Sequence, residues 1–123
     1  MIFKKDKGKI DYDFLSDSLF IFIEEGQKYL ESVSFENLII DYDKEGNFKA
    51  IEILNASDFF KLPKSYLKNI VEGNFKFIVS DKLINFDFIM KFGIRNKLSQ
   101  NVLSISKVND VDVFPFEVDL AYC

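Results

Sequence analysis

Apolar residues in this chain recur at every second position far more often than at every third or fourth. That is the period of strands, not of helices. Ile10, Tyr12 and Phe14 alternate with Asp11 and Asp13. After the turn Ser16-Asp17-Ser18, the run Leu19-Phe20-Ile21-Phe22-Ile23 is apolar on both faces and suits a strand covered on both sides. Glu24-Glu25-Gly26-Gln27-Lys28 reads as a polar turn, Tyr29 to Phe35 as a strand, and Leu38 to Tyr42 as another after a break at Glu36-Asn37. Asp43-Lys44-Glu45-Gly46 has hairpin chemistry: Asp accepts a backbone N–H two residues on, and Gly supplies a left-handed backbone without steric cost. The return strand is Phe48 to Leu54.

A change of pattern follows. Asn55 or Ser57 is placed to cap a short helix, and Pro63 opens a second one over Lys64 to Glu72, with Leu67, Ile70 and Val71 as its apolar stripe and Gly73 as its stop. Strands then resume. Phe75, Phe77 and Val79 alternate with polar neighbours, and Ile84, Phe86, Phe88, Met90, Phe92 and Ile94 fall on one face without a break. Leu98 to Val108 and Phe116 to Tyr122 complete the set. The expected architecture is α+β and mostly antiparallel β: two groups of meander strands, about eight strands in all, separated by a short helical segment near residues 56–72. The repeated Ser-Asp-x-Leu turns at Ser16 and Ser80 are too isolated to define a repeat.

Composition narrows the chemistry. The 123 residues fit one domain, and a hydrophobic fraction of 48% with 15 Phe is enough for one substantial core. There is no histidine, which removes imidazole acid–base catalysis and imidazole metal ligands. The only cysteine is Cys123, so no internal disulfide forms and a reducing, cytoplasmic setting is expected. The basic start, Met1 to Lys9, is not followed by the apolar core of a signal peptide, and no run is long enough for a membrane helix. The net charge of −4 and dispersed lysines speak against nucleic acid as a partner. No glycine-rich phosphate loop is present.

The N-terminal half resembles a known family. Tyr12-Asp13, Asp17-Ser18-Leu19-Phe20-Ile21, Asp41-Tyr42-Asp43 with Gly46, Ile51-Glu52-Ile53 and Ala56-Ser57 are similar in order and spacing to the DUF2283 family, small prokaryotic domains of unknown function. The likeness covers about residues 10–60, with residues 74–123 as a C-terminal β extension. Phe20 replaces the usual Tyr, and Ala50 stands where Gly often precedes Ile-Glu-Ile. The resemblance implies a small β-rich domain with a helix after Ala-Ser, and no activity.

Candidate chemistry rests on five acids, Asp13, Asp17, Asp41, Asp43 and Glu52. Asp41 and Glu52 fall on adjoining strands as possible cross-strand neighbours, and with Asp17 they form a candidate Mg²⁺ or Ca²⁺ site. The competing reading makes Asp43 and Asp17 turn residues and Asp41 and Glu52 the wet face of a sheet, with Lys49 or another nearby Lys offsetting their repulsion. A third reading has Glu52 accepting the amides of Ala56 and Ser57. The aromatic ladder of Phe86 to Phe92 reads as core before it reads as a ligand pocket, and Lys61, Lys64, Lys68 and Arg95 as solvated surface before a basic patch. The expectation is a non-catalytic protein without cofactor, acting by self-association or by binding a protein partner. A small-molecule ligand stays open. The competitors are a metal-dependent enzyme using the acidic set and a small acidic, antitoxin-like regulator. Many strands with only two prolines leave edges that must be paired or covered, and a homo-oligomer is one way to cover them.

Overall fold

The computed structural model describes residues 6–23, 31–111 and 113–123. The polar turn expected at 24–28 and the first residues of the strand expected from Tyr29 lie outside them. Among the described residues nine strands form, where the pattern suggested about eight. They are β1 (Asp6–Asp13), β2 (Ser18–Ile23), β3 (Glu31–Phe35), β4 (Leu38–Tyr42), β5 (Phe48–Ile53), β6 (Ile70–Val79), β7 (Leu83–Ile94), β8 (Lys97–Val108) and β9 (Phe116–Tyr122). Two short helices, α1 (Ala56–Phe60) and α2 (Lys64–Leu67), separate β5 from β6.

The two expected groups of strands are the halves of one sheet, ordered β3-β4-β5-β2-β1-β9-β6-β7-β8. Neighbours are antiparallel except where the halves meet. There β1 and β9 run parallel, with Asp6 beside Leu120 and Lys7 beside Ala121. This junction joins the first strand to the last, so it needs no helical crossover of its own.

Strict alternation decides which face is buried. Along β7, Ile84, Phe86, Phe88, Met90 and Phe92 are inaccessible, and Asn85, Asp87 and Lys91 point the other way. The two halves share their core. Phe48 of β5 stacks on Phe116 at 5.0 Å and meets Phe77 at 5.8 Å. Phe60 of α1 meets Phe88 edge-on at 5.3 Å. Tyr42 lies 5.8 Å from Phe116 and donates its hydroxyl to the Phe114 carbonyl at 3.3 Å. The sheet is therefore bent so that its N-terminal half packs on its C-terminal half. The aromatic ladder is core.

The hairpin at Asp43 forms as its sequence predicts. Asp43 Oδ1 accepts the amides of Glu45 and Asn47, both at 2.9 Å, and Gly46 has φ 82°. A register shift beside Tyr42 sets that residue opposite Phe48, while Asp41 faces Ala50. The β7–β8 hairpin turns in two residues, Arg95 and Asn96, both with positive φ, the requirement of a type I′ loop.

Two helix expectations are corrected. Asn55 is the residue before α1, but it is left-handed (φ 51°) and its side chain caps nothing. The second helix stops at Leu67, and Ile70 to Val79 form a strand in which Gly73 is an interior residue. The β-branched Ile70 and Val71 favour extended backbone. Gly73 is required there by packing: a Cβ would lie 2.5 Å from Phe75 Cζ and 2.7 Å from Cε2. The Phe75 ring occupies the space a side chain would need.

Candidate functional site

The five acids singled out by sequence separate into three environments. Asp13 and Asp43 belong to turns. Asp13 accepts the Leu15 amide at 3.0 Å, and its carboxyl is held below the usual range by Ser16 and then Leu15. Asp43 is held low first by the Asn47 amide, and its nearest cation is Lys49 at 3.8 Å. Lys49 thus serves the turn, not the Asp41–Glu52 pair.

Asp17 is the most engaged. Its Oδ1 accepts the Tyr12 hydroxyl at 2.7 Å and the Ser57 amide at 3.0 Å, and its Oδ2 accepts the Ser57 hydroxyl at 2.6 Å. Its carbonyl takes the Ala56 amide at 2.9 Å. Burial pushes the carboxyl up, but Ser57, Tyr12 and the charge of Lys64 outweigh it, and the net shift is downward. The phenol of Tyr12 is pushed up by burial and by the adjacent Asp17. The carboxylate that ties the sheet to the first helix is therefore Asp17, where Glu52 had been one candidate. The left-handed Asn55 turns the first amides of α1 toward the β1–β2 turn.

Asp41 and Glu52 do share a face. Glu52 lies between Phe20 and Ile39, and Asp41 lies opposite Ala50, whose other neighbour is Phe22. Parity places Phe20, Phe22, Ile39, Asp41, Ala50 and Glu52 on the side of the sheet away from the core. Asp41 is buried and accepts the Ser32 hydroxyl at 2.5 Å. Burial, and then the charge of Asp41, push the Glu52 carboxyl up. Asp17 is not part of this pair. Among the described residues, no three Asp, Glu, Cys or His side chains converge as a metal site would need.

Of the four candidate basic residues, two converge and two stand apart. Lys64 and Lys68 place their ammonium groups over the Phe14 ring, 5.2 and 4.6 Å from its centre. Lys61 and Arg95 are exposed residues with left-handed backbone.

The strongest unsatisfied feature is the edge of the sheet at β8. This strand has 12 residues and pairs with β7 alone. In an antiparallel pair, alternate residues turn their N–H and C=O away from the partner. One whole side of the β8 backbone is thus open among the described residues. The edge has no charge from Leu98 to Ser106 and no proline. Natural edges of this length are normally blunted by charge, proline or bulges, and an unblunted one invites another strand. Its apolar side chains are exposed as well: Leu98 by 73%, Val102 by 56% and Val108 by 65%. Beside them on β7 stand Ile89, opposite Val102, and Leu83, opposite Val108. The other edge, β3, has five residues among those described, begins at Glu31 and is followed by Glu36, which pairs with Lys107 of β8 at 3.0 Å.

Sequence reasoning anticipated open edges but not which strand carried one. A signal was available in the charge-free run Leu98 to Ser106. Its meaning depended on strand order, which the pattern of the chain does not reveal.

Residues 9–57 match a family described as a protein of unknown function, DUF2283. A Methanosarcina mazei protein named putative hypoxanthine phosphoribosyltransferase is 35% identical over 105 residues, which is 85% of each chain. An uncharacterized protein of Methanocaldococcus jannaschii is 40% identical over 67 residues, 54% of this chain and 57% of its own length. No solved structure matches the chain significantly.

Proposed function

From the premise that this chain belongs to the DUF2283 family, we propose that it is a protein-binding module that works by accepting a β-strand along the open edge of β8. The observation that carries the reading is the 12-residue, charge-poor, unpaired edge. An added strand gains backbone hydrogen bonds along its length, and side-chain contacts at alternate positions supply selectivity. Leu98, Val102 and Val108 form the contact row on one face, beside Leu83 and Ile89. The exposed Cys123 suits action in a reducing cytoplasm.

The name of the Methanosarcina relative points to phosphoribosyl chemistry. Phosphate groups are commonly held by free amides at a helix N-terminus. In this chain the first amides of α1 are taken by the carbonyl and carboxylate of Asp17. Those two amides are therefore not free to hold a phosphate.

The test uses a labelled peptide copying Leu98 to Val108, titrated into protein dilute enough for β8 to be free. Two further peptides carry N-methyl groups on alternate residues, one in each frame. Saturable binding of the plain peptide, lost for one methylated frame and kept for the other, is the expected result, because only one frame faces the edge. Binding that ignores both frames, or no binding, overturns the reading.

A further inference from the structure

Resting on the strand-addition reading, we propose that the natural occupant of the β8 edge is β8 of a second copy of this chain, antiparallel, with Leu103 on the two-fold axis. Three observations select this occupant and this register.

The first is parity. Even-numbered residues of β8 lie on the outer face with Ile89 and Leu83, and odd-numbered ones on the core side with Leu103 and Ile105. A two-fold axis perpendicular to the sheet sets like faces beside like faces only if it passes through a residue position. Every such register keeps the outer face continuous across both copies.

The second is charge. Lys97 and Lys107 are the only charged residues of β8. Centring the pair on Val102 would put Lys97 directly opposite Lys107 twice, an unfavourable like-charge arrangement. Centring it on Ser104 would put Leu98 opposite Asp110. Centring it on Leu103 sets Lys107 opposite Ser99 and Lys97 opposite Asn109, so no like charges face each other.

The third is apolar matching. In the Leu103 register, Leu98 of one copy lies opposite Val108 of the other, and Leu83 is the next residue in that row. The row is repeated at the other end by symmetry. The two most exposed large apolar side chains of the strand thus cover each other, and Val102 lies opposite Ser104. Residues 98–108 pair along their full length, with about ten backbone hydrogen bonds, the number of a standard interface. The contact is isologous and consumes both β8 edges, so it closes at two copies.

The test places cysteines on the exposed outer face in a Cys123→Ser background, one protein carrying Val102→Cys and another Ser104→Cys. Opposite Cβ atoms lie within disulfide reach, but diagonal ones do not. The proposal expects the full chain to sediment as a dimer. It also expects a mixture of the two variants to cross-link at least about tenfold faster than either alone. Self-cross-linking of Val102→Cys as fast as the mixture would overturn the register. Assemblies larger than two would overturn the two-fold contact. A monomer that still binds the strand peptide would overturn the second copy as occupant and leave strand addition standing. A monomer that binds no peptide would remove both.

Discussion

Asp17 and Ser57, forty positions apart, are joined twice: the carboxylate accepts the serine hydroxyl at 2.6 Å and its amide at 3.0 Å. This pair fastens the first hairpin to the start of α1. Asp17→Ala removes the acceptor for three donors and is expected to destabilise the fold by about 2–3 kcal/mol, and Ser57→Ala by about 1 kcal/mol. Denaturant unfolding of both singles and the double measures this, and the effects should fall short of additivity because the residues share one network.

The same carboxylate sets an acid limit. Its folded pKa lies below the unfolded value, so its contribution is complete above the ordinary aspartate range and lost as pH falls through the lowered value. Asp17→Asn should therefore unfold with a weaker dependence on pH below about 4 than the parent. Thermal melts across that range report it.

Glu52 has the opposite sign. Burial and Asp41 raise its folded pKa, so ionisation works against the fold at neutral pH. The opposition fades as pH falls through the raised value to below the unfolded one. Glu52→Gln is expected to melt higher than the parent at pH 7 and to match it below about pH 4. A Gln variant less stable than the parent at pH 7 would contradict this account of the pair.

Gly73 and Phe75 form a steric couple. Gly73→Ala forces a Cβ to within 2.5 Å of a ring that is fully buried, and the expected cost is about 1–3 kcal/mol. Phe75→Leu in the same chain should recover part of that loss, although each change alone destabilises. Equal losses that simply add would show that the ring does not fill the place of a side chain.

Phe48 links the halves through Phe77 and Phe116. Phe48→Ala should cost about 3–5 kcal/mol. Near-ultraviolet and far-ultraviolet signals are expected to melt together, because the two halves share one core. Separate transitions would mean that the halves fold independently.

How much of this was legible in the chain follows from where the information lies. The ladder Ile84 to Phe92 and the Asp43 to Gly46 turn are local patterns with a single physical solution, and both form as read. Gly73 misled because a glycine after an apolar stripe resembles a helix stop, whereas its cause is a ring two residues on in the same strand. Asp17 was seen as a turn residue. Its bonds to Ser57 depend on the left-handed Asn55 and on tertiary packing, which periodicity does not encode. Alternation alone put Asp41 and Glu52 on one face, as found, but that face was read as wet, whereas Asp41 is buried. The open edge of β8 depends on β1 meeting β9 and on β8 falling last in the strand order, a long-range outcome.

The most direct test of the central claim is amide hydrogen exchange along β8, in protein dilute enough for β8 to be free, with and without the Leu98 to Val108 peptide. Strand addition predicts that the peptide slows exchange at alternate amides of β8, the row that faces away from β7, and leaves β3 unchanged. No slowing in β8, or slowing on β3 or the Asp41–Glu52 face instead, would contradict it.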